Sequence, residues 1–81
     1  MITDEILAQY IHQAMPDALV SVIDRTGTRD HLMVRIVSKA FDGKNLLDRR
    51  RMIYQALDAP MKDGRIHALE IKEAATPEEA S

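Results

Sequence analysis

Eighty-one residues with 11 basic and 13 acidic side chains, a formal net charge of -2 and 46% hydrophobic content describe one soluble globular domain and leave no room for a second. A domain this small buries only about two-thirds of the surface its unfolded chain exposes, which excludes a large internal catalytic pocket and makes bound partners or homo-oligomers an expectation. Cysteine is absent, so a disulfide framework, a thiolate nucleophile and any metal site built from the chain's own sulfurs are excluded, and a metal must be held by histidine or carboxylate.

Thr3 is a helix cap followed by Asp4 and Glu5 in the first turn, and Ile2 and Leu7 stand at the two positions of a hydrophobic staple. Ile6, Leu7, Tyr10, Ile11 and Ala14 then recur at helical spacing, predicting an amphipathic helix that stops near Met15 and Pro16. From Ala18 to Arg25 the residues are β-branched and nearly alternating, 26–30 (Thr-Gly-Thr-Arg-Asp) carries turn chemistry, and His31 to Ser38 repeats the strand pattern. This is a hairpin. In its second strand Leu32, Val34 and Ile36 share one face, expected to meet a helix, while Met33, Arg35 and Val37 point towards water.

Asn45, with Asp48 three residues on, caps a second helix whose core stripe reads Leu46, Leu47, Ile53, Tyr54 and Leu57, interrupted by Arg50, which would have to snorkel to an edge. Pro60 and Gly64 bracket a one-turn helical connection, and Ile66 to Lys72 alternates as a third strand. The domain is expected over residues 1–75, with the polar tail 76–81 frayed. No apolar run approaches the ~20 residues that cross a bilayer, and the first residues lack the order of a secretory signal, so a cytoplasmic location without a membrane partner is expected.

A helical crossover between neighbouring strands is nearly always right-handed and makes them parallel, so the second and third strands should start at the same end. His31 opens one and His67 the other, and strands lie roughly 4.8 Å apart, which lets the two imidazoles approach. Alternation argues the other way, because it groups His67 with Leu69 and Ile71 but sets His31 opposite to Leu32.

Residues 31–57, from His-Leu-Met-Val-Arg-Ile-Val-Ser through Phe41-Asp-Gly and Arg49-Arg-Arg-Met-Ile-Tyr to Leu57, resemble the BolA family, as does Arg65-Ile-His-Ala-Leu-Glu-Ile. The resemblance lies in a His opening the second strand, a Ser before Phe-x-Gly, a basic run before Met-Ile-Tyr and a closing His-Ala-Leu. It implies an α+β domain with the αββααβ BolA-like, class II KH-like fold, a three-stranded mixed sheet packed on helices. It also implies a monothiol glutaredoxin partner in a heterodimer, with a bridging [2Fe-2S] cluster held by the partner's cysteine, a glutathione thiol and histidine from this side.

His67 carries over from that resemblance as the metal ligand. Two departures stand out. Many members place a further Cys or His in the loop between the first strands, where residues 24–30 here offer none, leaving His31 as the nearest substitute. Arg50 stands where the family commonly has His between two basic residues.

Neutral imidazole is a good iron ligand, and histidine in place of cysteine raises a cluster's potential and makes ligation sensitive to pH. The plainer alternative is that His67 only caps the sheet, and that His31 hydrogen-bonds the hairpin backbone. His12 falls on the polar side of the first helix and is expected to face solvent. Arg49, Arg50 and Arg51, with Lys44, read either as a solvated face or as a docking surface for acidic protein, glutathione or phosphate. No catalytic constellation is present, so the chain is not expected to be an enzyme. A nucleic-acid-binding transcriptional regulator on the KH-like fold is the alternative, disfavoured by the charge of -2, one Phe, two Tyr, no Trp and the lack of a GxxG clamp.

Overall fold

Helix capping acts where the sequence places it. In the computed structural model, which describes residues 2–81, Thr3 Oγ1 accepts from the Ile6 amide at 3.2 Å and starts α1, Asp4–Ala14. Ile2 and Leu7 are both buried and close the staple. Ile6 and Ala14, expected on the apolar face, are exposed instead; the buried stripe is Leu7 and Ile11, continued by Met15 beyond the helix.

β1, Leu19–Asp24, and β2, His31–Val37, form the expected antiparallel hairpin. Leu32, Val34 and Ile36 are buried, whereas the alternate face of β2 remains partly open. A 3₁₀ turn, Lys39–Phe41, follows with Ser38 as its cap and buries the Phe41 ring. α2, Leu46–Ala56, begins at Asn45, whose side chain accepts from the Asp48 amide at 2.8 Å. The short α3, Asp58–Lys62, ends before Gly64, whose φ of 84° is the left-handed conformation that a side chain would strain.

β3, Ala68–Ala75, runs parallel to β2, and the sheet order is β1-β2-β3, the mixed sheet expected of an α-β-β-α-α-β chain. It starts two residues later and ends three residues later than alternation predicts. The later end follows from an irregularity opposite Val34 and Arg35: Val34 pairs with Ile71 but Arg35 with Glu73, leaving Lys72 as an extra residue. Parity is thereby reset, so Ala74 joins Ile36 on the core face.

α1 and α2 pack together over that face, with Leu7, Ile11, Val34, Phe41, Ile53 and Leu57 at the centre of a continuous core. Full burial of side chains of this size contributes about 1.5–3 kcal/mol each, before ordering entropy is set against it. The expected stripe of α2 is corrected here. Leu46 and Leu47 are each 57% exposed and Tyr54 is 42% exposed, while Ile53 and Leu57 are buried and Met52 and Ala56 pack beside them.

Arg49, not Arg50, lies on the inner side. Its side chain is only 13% exposed and its guanidinium stands 5.9 Å from the Phe41 ring centroid. The same arginine orders the tail that was expected to fray. Pro77–Ala80 forms a helical turn, α4, with a reciprocal capping box between Thr76 and Glu79. Arg49 donates to both Glu79 carboxylate oxygens, at 2.6 and 3.2 Å, and to the Ala74 carbonyl at 3.0 Å. Among the described residues no helix is long and apolar enough to cross a membrane.

Candidate metal-ligand site

The segment leading into His67 is held from several sides. Arg65 donates to the Tyr10 hydroxyl at 2.7 Å and to Asp63 at 2.8 Å, and its carbonyl accepts from the Ile2 amide. Its guanidinium is held above its usual basicity, first by the Tyr10 hydroxyl and then by Asp63. The next residue, Ile66, is buried and donates its amide to the Pro60 carbonyl at 3.0 Å. Tyr10, Arg65 and Asp63 were not singled out from the sequence as supports of this end; Arg65 lies two residues before the histidine, but its partner on α1 is 55 positions away.

The loop before β2 is equally constrained. Asp24 accepts from the amides of Gly27, at 3.1 Å, and Arg29, at 2.9 Å. Arg29, itself at φ 61°, donates to the Ile2 carbonyl at 3.1 Å and pairs with Asp4 at 2.7 Å, tying the loop to the start of α1. Asp30 emerges from this loop and accepts from the Thr28 hydroxyl through one carboxylate oxygen. Its other oxygen lies 3.3 Å from His67 Nδ1.

Parallel register explains the meeting. His31 pairs with Ala68, so the residues that precede them, Asp30 and His67, are brought side by side. His67 therefore finds a carboxylate, not His31, as its immediate neighbour. With its Nδ1 proton directed at Asp30, the ring keeps its Nε2 lone pair for another acceptor, and the side chain is 61% exposed. This satisfies the steric and tautomeric demands on a terminal histidine ligand. Among the described residues no three His, Asp or Glu side chains converge on a common centre.

Among the described residues the His31 side chain makes no hydrogen bond, while its backbone carbonyl accepts from the Arg25 amide at 3.3 Å. It lines an open cleft of about 420 Å3 together with Arg25, Arg50, Tyr54, Leu69 and Glu70. His12 is exposed and its Nε2 lies 2.8 Å from the Ala18 carbonyl, a bond that steadies the turn into β1.

The basic residues divide. Arg49 is engaged within the chain, also donating to the Lys44 carbonyl at 2.9 Å, and its guanidinium is held above its usual basicity chiefly by Glu79. Arg51 is exposed and approaches Asp48 only to 3.9 Å. Arg50 and Lys44 are exposed, and no ion pair involves their side chains among the described residues. Asp17, unremarked in the sequence, joins the turn after α1 to the end of β2: it accepts from Ser38 Oγ at 2.7 Å and from the Lys39 amide at 2.8 Å. Those bonds, the Lys39 amide first, hold its carboxyl below the ordinary range.

Together, the mixed three-stranded sheet, the helices on one face and an exposed histidine immediately before the last strand define a small α+β domain built to present one imidazole beside a carboxylate. The chain belongs to the BolA-like protein family, which it matches over residues 2–79. It is 39% identical to Protein BOLA2 of Arabidopsis thaliana over 80 residues, which cover 98% of this chain and 84% of that protein. It is similar in structure to BolA1 from Arabidopsis thaliana, with a TM-score of 0.81 and 28% identity over 99% of this chain and 100% of the other. The BolA domain of SufE1 from the same plant is also similar, with a TM-score of 0.77, 30% identity and coverage of 98% and 99%.

Proposed function

We propose that this chain is a non-enzymatic partner of a monothiol glutaredoxin, and that His67 contributes one ligand to a [2Fe-2S] cluster bridging the two proteins during cluster trafficking or iron regulation. The observation that carries the reading is the pairing of His67 Nδ1 with Asp30, which leaves Nε2 outside that bond on a side chain that is 61% exposed. Family membership and the absence of cysteine support it: thiolates would come from the glutaredoxin and glutathione, and the imidazole from this chain. An imidazole replacing a thiolate raises the potential of a cluster and suits cargo that must be released.

Within this reading, the protein's own task is to hold a ring. Arg65 and Ile66 fix the backbone before His67, the Asp24 loop fixes Asp30, and Asp30 fixes the tautomer. His31, whose side chain makes no hydrogen bond among the described residues, is the second candidate ligand.

The test is visible absorption and circular dichroism of cluster-loaded monothiol glutaredoxin titrated with this chain and with its His67→Ala variant. Wild type is expected to generate a new spectrum saturating at a one-to-one ratio, and the variant none. An identical spectrum with both would rule out ligation by His67, and no change with wild type would remove the partner.

A further inference from the structure

Three side chains that helical periodicity would bury lie outside. On α2, Leu46, Arg50, Tyr54 and Leu47 fall in that angular order within about 100° of azimuth, at 100° per residue. They form a stripe with apolar ends and an arginine in the middle. Two leucines at 57% exposure and a tyrosine at 42% share one helix face, whereas the other exposed large apolar side chains among the described residues, Ile6, Leu19 and Ile23, lie on α1 and β1. The buried side of α2 adjoins the stripe: Ile53 and Arg49 lie about 20° and 60° beyond Leu46, and they anchor the helix to the core and to the C-terminal turn.

The stripe is continuous with the candidate site. Arg50 and Tyr54 line the same open cleft as His31, and His31 is paired in register with Ala68, the residue next to His67. A protein that reaches His67 therefore meets this helix face along the same edge of the molecule.

We infer that the exposed face of α2 is the docking surface for the glutaredoxin, and that the partner covers it with apolar side chains surrounding a carboxylate that pairs with Arg50. This rests on the function proposed above. Charge complementarity selects the occupant. Arg50 makes no ion pair among the described residues and is exposed, so the covering surface must be acidic at its centre. A second copy is disfavoured by the same argument, because a two-fold axis through the middle of the stripe sets Arg50 against Arg50. Leucines at the ends of the stripe do not suit a nucleic-acid backbone.

The same titration separates docking from ligation. Cluster-loaded monothiol glutaredoxin is titrated with wild type, with Arg50→Glu and with the Leu47→Ser/Tyr54→Ser double variant. Because these side chains lie outside the core, far-ultraviolet circular dichroism and thermal midpoints are expected to match wild type. Each variant should reach the wild-type final spectrum, since His67 is intact, but with its midpoint displaced to about tenfold higher concentration.

Midpoints equal to wild type overturn the docking surface and leave the ligand reading intact. No spectral change with wild type overturns both. Self-association of wild type that these substitutions abolish would assign the face to a second copy and overturn the inference as well.

Discussion

Two carboxylate pairs at different corners of the domain look alike in the sequence and behave differently in the fold. Arg49 and Glu79 saturate one another: the guanidinium also holds two backbone carbonyls, and the carboxylate also holds the Thr76 amide. His67 and Asp30 share a single 3.3 Å contact, both are more than half exposed, and one ring nitrogen is left over. A pair whose bonding capacity is used up is structural, whereas one that keeps a directed, uncommitted donor atom is available for binding. Charge alone does not separate them, which is why the run Arg49-Arg50-Arg51 contains one largely buried anchor and two exposed side chains.

The comparison is sharpest in a crossed pair of substitutions. His67→Ala is expected to abolish the bridged spectrum entirely while leaving the thermal midpoint unchanged, and Arg49→Ala to lower the thermal midpoint while preserving the final spectrum of the complex. Thermal unfolding by circular dichroism and the glutaredoxin titration read the two effects separately. If Arg49→Ala loses the spectrum with its fold intact, the division between anchor and ligand is wrong. Asp30→Ala comes next in size. Loss of a histidine's orienting carboxylate typically weakens ligation by about 10–100-fold, so the titration midpoint should move by at least the lower figure; an unmoved midpoint would mean that Asp30 does not orient the ring.

Local features of the fold were legible from residues close together in the chain. Thr3 and Asn45 cap as expected, the hairpin forms at 26–30, and Leu32, Val34 and Ile36 face inward. What depended on distant partners was hidden. The orientation of α2 follows from Arg49 meeting Glu79 thirty positions later, and an arginine in the true core stripe disguised that stripe while Leu46, Leu47 and Tyr54 imitated one. The end of β3 was missed because an extra residue at Lys72 breaks the alternation on which strand reading relies.

The candidate site was half legible. His67 stood out through the resemblance of Ile-His-Ala-Leu, and parallel strands were expected, but setting the two histidines side by side was off by one residue. The signal for Asp30 was present, since it directly precedes the strand-opening His31. Only the register of His31 with Ala68 turns that adjacency into a contact with His67.

The two smallest effects concern the C-terminal corner. Thr76→Ala removes the side-chain half of the capping box of α4, and such losses cost about 1 kcal/mol; denaturant unfolding should show a lower midpoint with an unchanged slope. The pH dependence of the same corner is subtler. Glu79 is pulled from 4.5 to about 2, first by Arg49 and then by the Thr76 amide. Its folded pKa lies below its unfolded one, so between these values the unfolded chain takes up a proton that the folded chain refuses.

Glu79 therefore stabilises the fold fully above pH 4.5, and that contribution disappears as the pH falls to about 2. The half-exposed carboxylate is screened by solvent, so the effect is modest and should shrink with added salt. Thermal midpoints of wild type and Glu79→Gln, compared across this range, isolate it from Asp17, whose lowered pKa both proteins share. The gap should be widest near neutrality and close towards pH 2. A gap that stayed constant with pH would show that Glu79 acts through its shape and hydrogen bonds alone, and that the charge of the Arg49 corner contributes nothing to holding α4 in place.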